Sequence, residues 1–230
     1  MGDFGQAARL AIELIAGGDP TLYAIVGLSL EVSLGAALIA GMLGAFGGAA
    51  LAVFRFPGRR SLVIAANSLL SLPPVVVGLA AYLLFSRSGP LGRFGLLYTP
   101  QAMVIVQTVL ATPIVTAIVH RAAEKAWGAY GEVFAITGAS RLETVPQLLR
   151  IERAHVLTAT LAGFGRTISE VGAIIIVGGN IAGITRTMTT AIALQTSMGN
   201  LPLALALGII LVSISVAINL FAFAIADNGE

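Results

Sequence analysis

The chain has 230 residues, 57% hydrophobic and 10% charged, with a mean hydropathy of +0.94. Soluble domains carry about 25% charged residues, so this composition describes an integral membrane protein and leaves no room for a sizeable soluble domain. A formal charge of +2, with its basic residues in loops, excludes a nucleic-acid-binding face, and the absence of cysteine excludes disulfides, thiolate metal centres and cysteine nucleophiles.

The opening Met1-Gly2-Asp3-Phe4-Gly5 lacks the basic start and early apolar run of a secretory signal. Residues 7–16 mix apolar and charged positions at helical spacing but are too few to cross about 30 Å of hydrocarbon. Residues 1–20 are therefore predicted to be an N-terminal interfacial amphipathic segment, and residues 21–226 a transmembrane domain. The first span is expected at 23–53. It carries Glu31 and many glycines, of which Gly44 and Gly48 form a GxxxG pattern. That pattern permits close helix approach, within the chain or against another subunit. Arg55, Arg59 and Arg60 close the span.

The second span, 62–85, is interrupted by Ser71-Leu72-Pro73-Pro74. Prolines near mid-membrane break backbone bonds that lipid cannot repair, so the segment must be covered by protein or water. A kinked helix lining a pathway is expected, with Asn67, Pro73 and Pro74 as candidates. The third span, 102–120, contains Gln107, Thr108 and Pro113, and Gln107 joins the candidates. The fourth, 156–178, holds Arg166 and Glu170, four residues apart and so on one face of a continuous helix. A lone charge at the helix centre costs about 2.5–3.5 kcal/mol on insertion scales, so the two are expected to pair or to face water. Arg166 could present its fork of donors to a tetrahedral oxyanion, or the pair could simply fix helix packing. The loop 179–200 is rich in threonine and glycine, with Arg186 as its only charge, and a fifth span follows at 201–226.

Between the third and fourth spans lies the longest polar interval, 131–154. Two short helices are predicted there. Glu132, Ala135, Ile136 and Ala139 share one helical face, and Gly138 can bend the chain where a side chain would obstruct. Ser140 and Glu143 make a capping box that would start a second helix at Arg141, with Pro146 a potential kink inside it. The interval reads as a docking element for a soluble partner. With five spans, the side holding it carries eight basic residues (Arg55, Arg59, Arg60, Arg121, Lys125, Arg141, Arg150, Arg153) against four on the other (Arg9, Arg87, Arg93, Arg186). The positive-inside rule then puts the docking interval and the C-terminus in the cytoplasm and the N-terminus outside.

The single lysine, Lys125, follows Glu124, so a phosphate-cradling Gly-Lys-Ser/Thr loop cannot exist here. Any ATPase must be another polypeptide. No nucleophile is paired with a base and no HExxH pattern occurs, so no catalytic residue is expected. His120 and His155 stand at opposite ends of the polar interval, which argues against a metal site.

Glu132, Ala135 and the run Gly138-Ala139-Ser140-Arg141 resemble the "EAA" loop of permease subunits in ABC importers. The family's Glu-Ala-Ala appears as Glu132-Val133-Phe134, and its usual Leu-Pro as Arg150-Ile151. The likeness runs from about Leu22 to Ala226. Phe164-Gly-Arg166-Thr-Ile-Ser-Glu170-Val-Gly172-Ala173 and Gly178-Gly179-Asn180-Ile181 look like parts of molybdate and tungstate permeases. With Ser71-Leu-Pro73-Pro74-Val-Val-Val-Gly78 and Ser86-Arg87-Ser88-Gly89-Pro90-Leu91-Gly92, the chain looks most like the tungstate branch. The resemblance implies an all-α, polytopic permease of the type I ABC importer fold, with five transmembrane helices and a cytoplasmic coupling helix. It further implies ATPase coupling through Glu132, Ala135, Gly138, Ala139, Ser140 and Arg141. A second copy of the chain, two cytoplasmic ATPase subunits that use ATP and Mg, and an extracytoplasmic oxyanion-binding protein would complete it in a bacterial or archaeal cytoplasmic membrane. A molybdate, sulfate or phosphate permease would keep the same loop. A secondary transporter would work without an ATPase but would need its own coupling-ion site.

Overall fold

The structure, a computed structural model, describes residues 2–227, with side chains described for 5–224. Ten α-helices follow in order: α1 (Gly2–Ala16), α2 (Pro20–Val53), α3 (Arg59–Ser68), α4 (Pro74–Phe85), α5 (Pro100–Ile136), α6 (Arg141–Ile151), α7 (Arg153–Ile168), α8 (Gly172–Gly178), α9 (Met188–Ser197) and α10 (Leu201–Asp227). No strand occurs among the described residues. α2, α5 and residues 201–224 of α10 are long and apolar enough to cross a membrane, and the total reaches 5 when the bent pairs α3 with α4 and α7 with α8 each count as one span. The protein is a polytopic, all-helical membrane protein.

Four features differ from the sequence-based expectation. The second span is two helices, not one kinked helix. Leu72 and Pro73 are both extended, at φ/ψ of −63/122 and −65/122. Pro73 disfavours helical backbone at Leu72, and Pro74 occupies the first turn of the next helix, where its missing N–H costs nothing. The third span continues past His120 to Ile136, so Glu132 and Ala135 lie on the end of α5 rather than on a separate short helix. The fourth span breaks at residues 169–171, which removes the continuous helix that would have placed Arg166 and Glu170 on one face. Within the loop 179–200 the chain forms α9, whose start is fixed by a Thr187–Thr190 capping box.

The chain divides into two compact units. One comprises Met1–Gly35, Pro73–Gln107 and Ile168–Glu230. Its core gathers Ala11, Leu22, Met188, Ala191, Ala206, Leu207 and Ile210; α1 packs against α10, and α10 packs in turn on α9, so α1 does not stand alone. α4 packs on α8 so tightly that a Cβ on Gly78 would fall 2.8 Å from Ala173 Cα.

The other unit comprises Ala36–Leu72 and Thr108–Thr167. Here the GxxxG pattern serves packing within the chain. A Cβ on Gly44 would sit 2.6 Å from Val115 Cβ, and one on Gly48 would sit 2.7 Å from the Thr116 carbonyl oxygen, so α2 and α5 touch along their backbones. Ala49, Ala52 and Val53 of α2 pack with Ala123 and Ala126 of α5 and with Val145 and Leu148 of α6.

Candidate functional site

The corner between α5 and α6 collects all six candidate coupling residues. α5 ends in a Schellman arrangement: the Ala139 N–H donates to the Phe134 carbonyl at 3.1 Å and the Gly138 N–H to that of Ala135 at 3.2 Å. Gly138 takes φ +73, and nothing lies within 4 Å of where its Cβ would be. The glycine is thus required by backbone handedness, not by the steric obstruction expected from the sequence. Two residues later the capping box forms as the spacing predicts. Glu143 N–H donates to Ser140 Oγ at 3.3 Å, while Ser140 N–H and Oγ–H donate to Glu143 Oε2 at 2.8 and 2.7 Å. These bonds, the Ser140 hydroxyl first, hold the Glu143 carboxyl below the usual carboxylate range.

α6 continues through Pro146 as one helix. Its inner face buries Thr144, Val145 and Leu148, and Trp127 stacks with Phe134 at 6.3 Å between ring centres on the same cluster. The outer surface is different. Ile136 is 86% exposed, Leu142 74% and Val133 54%, beside the exposed Glu132, Gly138, Ser140 and Arg141. A corner whose backbone is fixed by two capping motifs thus displays Val133, Ile136 and Leu142 beside Glu132 and Arg141.

The candidate pathway residues are spread over both units. Asn67 is exposed on α3 and its amide donates to the Val63 carbonyl at 2.8 Å. Arg166 is half-buried near the end of α7. In the other unit Gln107 is buried in α5. The structure brings Pro73, Pro74 and Glu170 into one neighbourhood there: a Cβ on Gly172, two residues past Glu170, would meet Val75 Cγ2 at 2.8 Å. Glu170 is 5% exposed, and its Oε1 accepts the Ala173 N–H at 3.1 Å while its carbonyl accepts from Thr189 Oγ at 2.8 Å. The carboxylate thus fixes the start of α8, a role that helical periodicity does not suggest.

Sequence reasoning counts Arg59 among the charges that close the first span but misses its partners. Its guanidinium donates to Glu124 Oε1 at 2.8 Å and to the Leu51 carbonyl at 2.5 Å, tying the end of α2 and the start of α3 to α5. The local signal was Gly58, left-handed at φ +89, which turns the chain back onto α2.

No family model matches the chain. Among curated relatives it is 39% identical over 203 residues to the tungstate uptake system permease protein TupB of Peptoclostridium acidaminophilum, covering 86% of this chain and 87% of the relative. It is 37% identical over 185 residues to a probable anion ABC transporter permease protein of Haloferax volcanii, covering 78% and 80%. TupB of Campylobacter jejuni matches at 38% over 146 residues, 64% of this chain and 61% of the relative. Sulfate and molybdenum permeases are more distant relatives. With this identity spread over most of both chains, the protein belongs to the ABC transporter permeases, in the family that includes the tungstate uptake permeases.

Proposed function

We propose that this chain is the membrane permease of an ATP-driven importer of tungstate, docking its ATPase through the α5–α6 corner. The exposed apolar residues Val133, Ile136 and Leu142 on a doubly capped corner carry the docking reading. The relatives' names supply the cargo. In this reading Glu132, Ala135, Gly138, Ala139, Ser140 and Arg141 contact a cytoplasmic ATPase that uses ATP and Mg. Two copies of the chain enclose the pathway, two ATPases engage them, and an extracytoplasmic oxyanion-binding protein delivers cargo.

ATP binding draws the ATPases together and moves the corners with them. The broken spans at Pro73–Pro74 and at Glu170 give the membrane region interrupted helices, the form in which transporters commonly expose backbone groups along a route. Asn67, Gln107 and Arg166 are assigned to that route. The N-terminus lies outside and the corner in the cytoplasm.

The test is to purify the tagged permease from its native membrane and assay ATPase activity with and without tungstate-loaded binding protein. A co-purifying ATPase stimulated by the loaded protein is expected. A chain free of ATPase that moves tungstate in vesicles under an ion gradient would overturn the proposal.

A further inference from the structure

Arg186 is the single charged residue of the segment 179–200. It is half-buried, and no carboxylate forms an ion pair with it among the described residues. Its Nε–H donates to Asn180 Oδ1 at 3.2 Å and its Nη2 to the Asn180 carbonyl at 3.3 Å. Both contacts take one edge of the guanidinium and orient the other. Asn180 is itself held in the left-handed conformation at φ +51. The turn is braced by Thr185, whose hydroxyl oxygen accepts the Ile181 N–H at 3.0 Å and whose hydroxyl donates to the Gly178 carbonyl.

The guanidinium lines a cleft of about 450 Å³ with Thr21, Ala24, Leu28, Gly183 and Ile184. Arg186 also lines a smaller cleft of about 160 Å³, shared with Asp19 and Gln195. Asp19 does not neutralise it there; its Oδ1 accepts the Thr21 and Leu22 N–H groups at 2.8 and 2.9 Å, capping α2. A guanidinium removed from much of its water, fixed in direction and uncompensated favours an anion with several acceptor oxygens.

We infer that Arg186 is the cationic wall of a binding site for a tetrahedral oxyanion, in the cleft between the start of α2 and the Asn180–Arg186 turn. This rests on the proposed function for the identity of the free anion, tungstate, but not for the site. The same chemistry is presented by a phospholipid headgroup, whose chain the apolar walls Ala24, Ile25, Leu28 and Ile184 would accept. A free oxyanion and a lipid phosphate are two sources of one ligand.

The experiment compares the purified chain with Arg186→Lys and Arg186→Gln, each checked for an unchanged Tm. Tungstate and inorganic phosphate binding are measured by calorimetry, and retained phosphatidylglycerol by native mass spectrometry. For a free anion, Arg186→Gln weakens tungstate binding about tenfold or more, with Arg186→Lys between it and the parent. For a lipid phosphate, the parent retains phosphatidylglycerol that Arg186→Gln loses, and phosphate binds only after delipidation. If Arg186→Gln fails to fold, Asn180→Gly keeps the left-handed turn and its carbonyl while removing Oδ1, one of the two oxygens that orient Arg186, and a severalfold loss is expected. Variants that bind both anions and retain lipid as the parent does would overturn the site. ATP-coupled transport with an apparent KM for tungstate indifferent to Arg186→Gln, in a variant that also retains lipid as the parent does, would overturn the site alone. Tungstate bound at Arg186 by a chain that never engages an ATPase would overturn the importer and leave the site standing.

Discussion

Arg59 Nη2 and Glu124 Oε1 meet at 2.8 Å, and the same guanidinium reaches the Leu51 carbonyl and lies 3.4 Å from His120 Nε2. One side chain on α3 thereby serves acceptors on α2 and α5. Glu124 is about half exposed, and such pairs contribute about 1 kcal/mol or less. Arg59→Ala is expected to cost more, about 1–2 kcal/mol, because it also strips the partner from a helix-end carbonyl. Thermal melts of Glu124→Gln and Arg59→Ala test the ordering; equal losses would mean that the ion pair alone matters.

The contact between α2 and α5 leaves no space at two glycines. Gly48→Ala would drive a Cβ to 2.7 Å from the Thr116 carbonyl oxygen, a backbone atom that no rotamer change can move. Overpacking of this kind costs about 1–3 kcal/mol. Gly47→Ala, whose Cβ meets nothing within 4 Å, is expected to melt as the parent does or slightly higher. Size-exclusion profiles and Tm of the two variants should separate clearly.

At the docking corner, Gly138→Ala puts a Cβ in the left-handed region at a cost of about 1–2 kcal/mol. Asparagine tolerates that region better and should cost less. Because nothing crowds the site, the order alanine worse than asparagine tests handedness against crowding, which would give the reverse. Under the proposed function, Gly138→Val should also reduce ATPase co-purification. Intact coupling in a folded Gly138→Val protein would exclude the corner as the coupling element.

Glu143 carries a pH dependence whose sign is fixed. Its carboxyl is held below the ordinary value of 4.5 in the folded state by the Ser140 hydroxyl and N–H. The capping box therefore contributes fully above the unfolded pKa and is lost as pH falls through the folded one. Melts between pH 7 and 3 should show a decline below about pH 4.5 that is absent in Glu143→Gln.

Local signals carried the sequence reading furthest. The capping box at Ser140 and the turn at Gly138 are decided by residues three apart, and both appear in the structure. The expected third span stops at His120 because Arg121, Glu124 and Lys125 end the apolar run. Yet Ala122, Ala123 and Ala126 sustain a helix whatever the solvent, and hydropathy does not register that. The break at Glu170 was hidden by the opposite error. Four-residue spacing assumes a helix, and nothing between Arg166 and Glu170 announces its end. α9 is hard to read because threonine is a weak helix former, while the buried threonines around its start, Thr185 and Thr187 before it and Thr189 and Thr190 within it, satisfy their hydroxyls within the turn and on neighbouring backbone. From sequence Arg186 is only a lone charge, since the absence of a counter-ion for it among the described residues is a fact of three dimensions.

The 37 residues of α5 span about 55 Å at 1.5 Å per residue, against about 30 Å of hydrocarbon. The helix is therefore about 25 Å longer than the lipid tails are thick. The corner and the span belong to one unbroken helix, so a displacement of the corner is delivered to the span with no loop between them to absorb it.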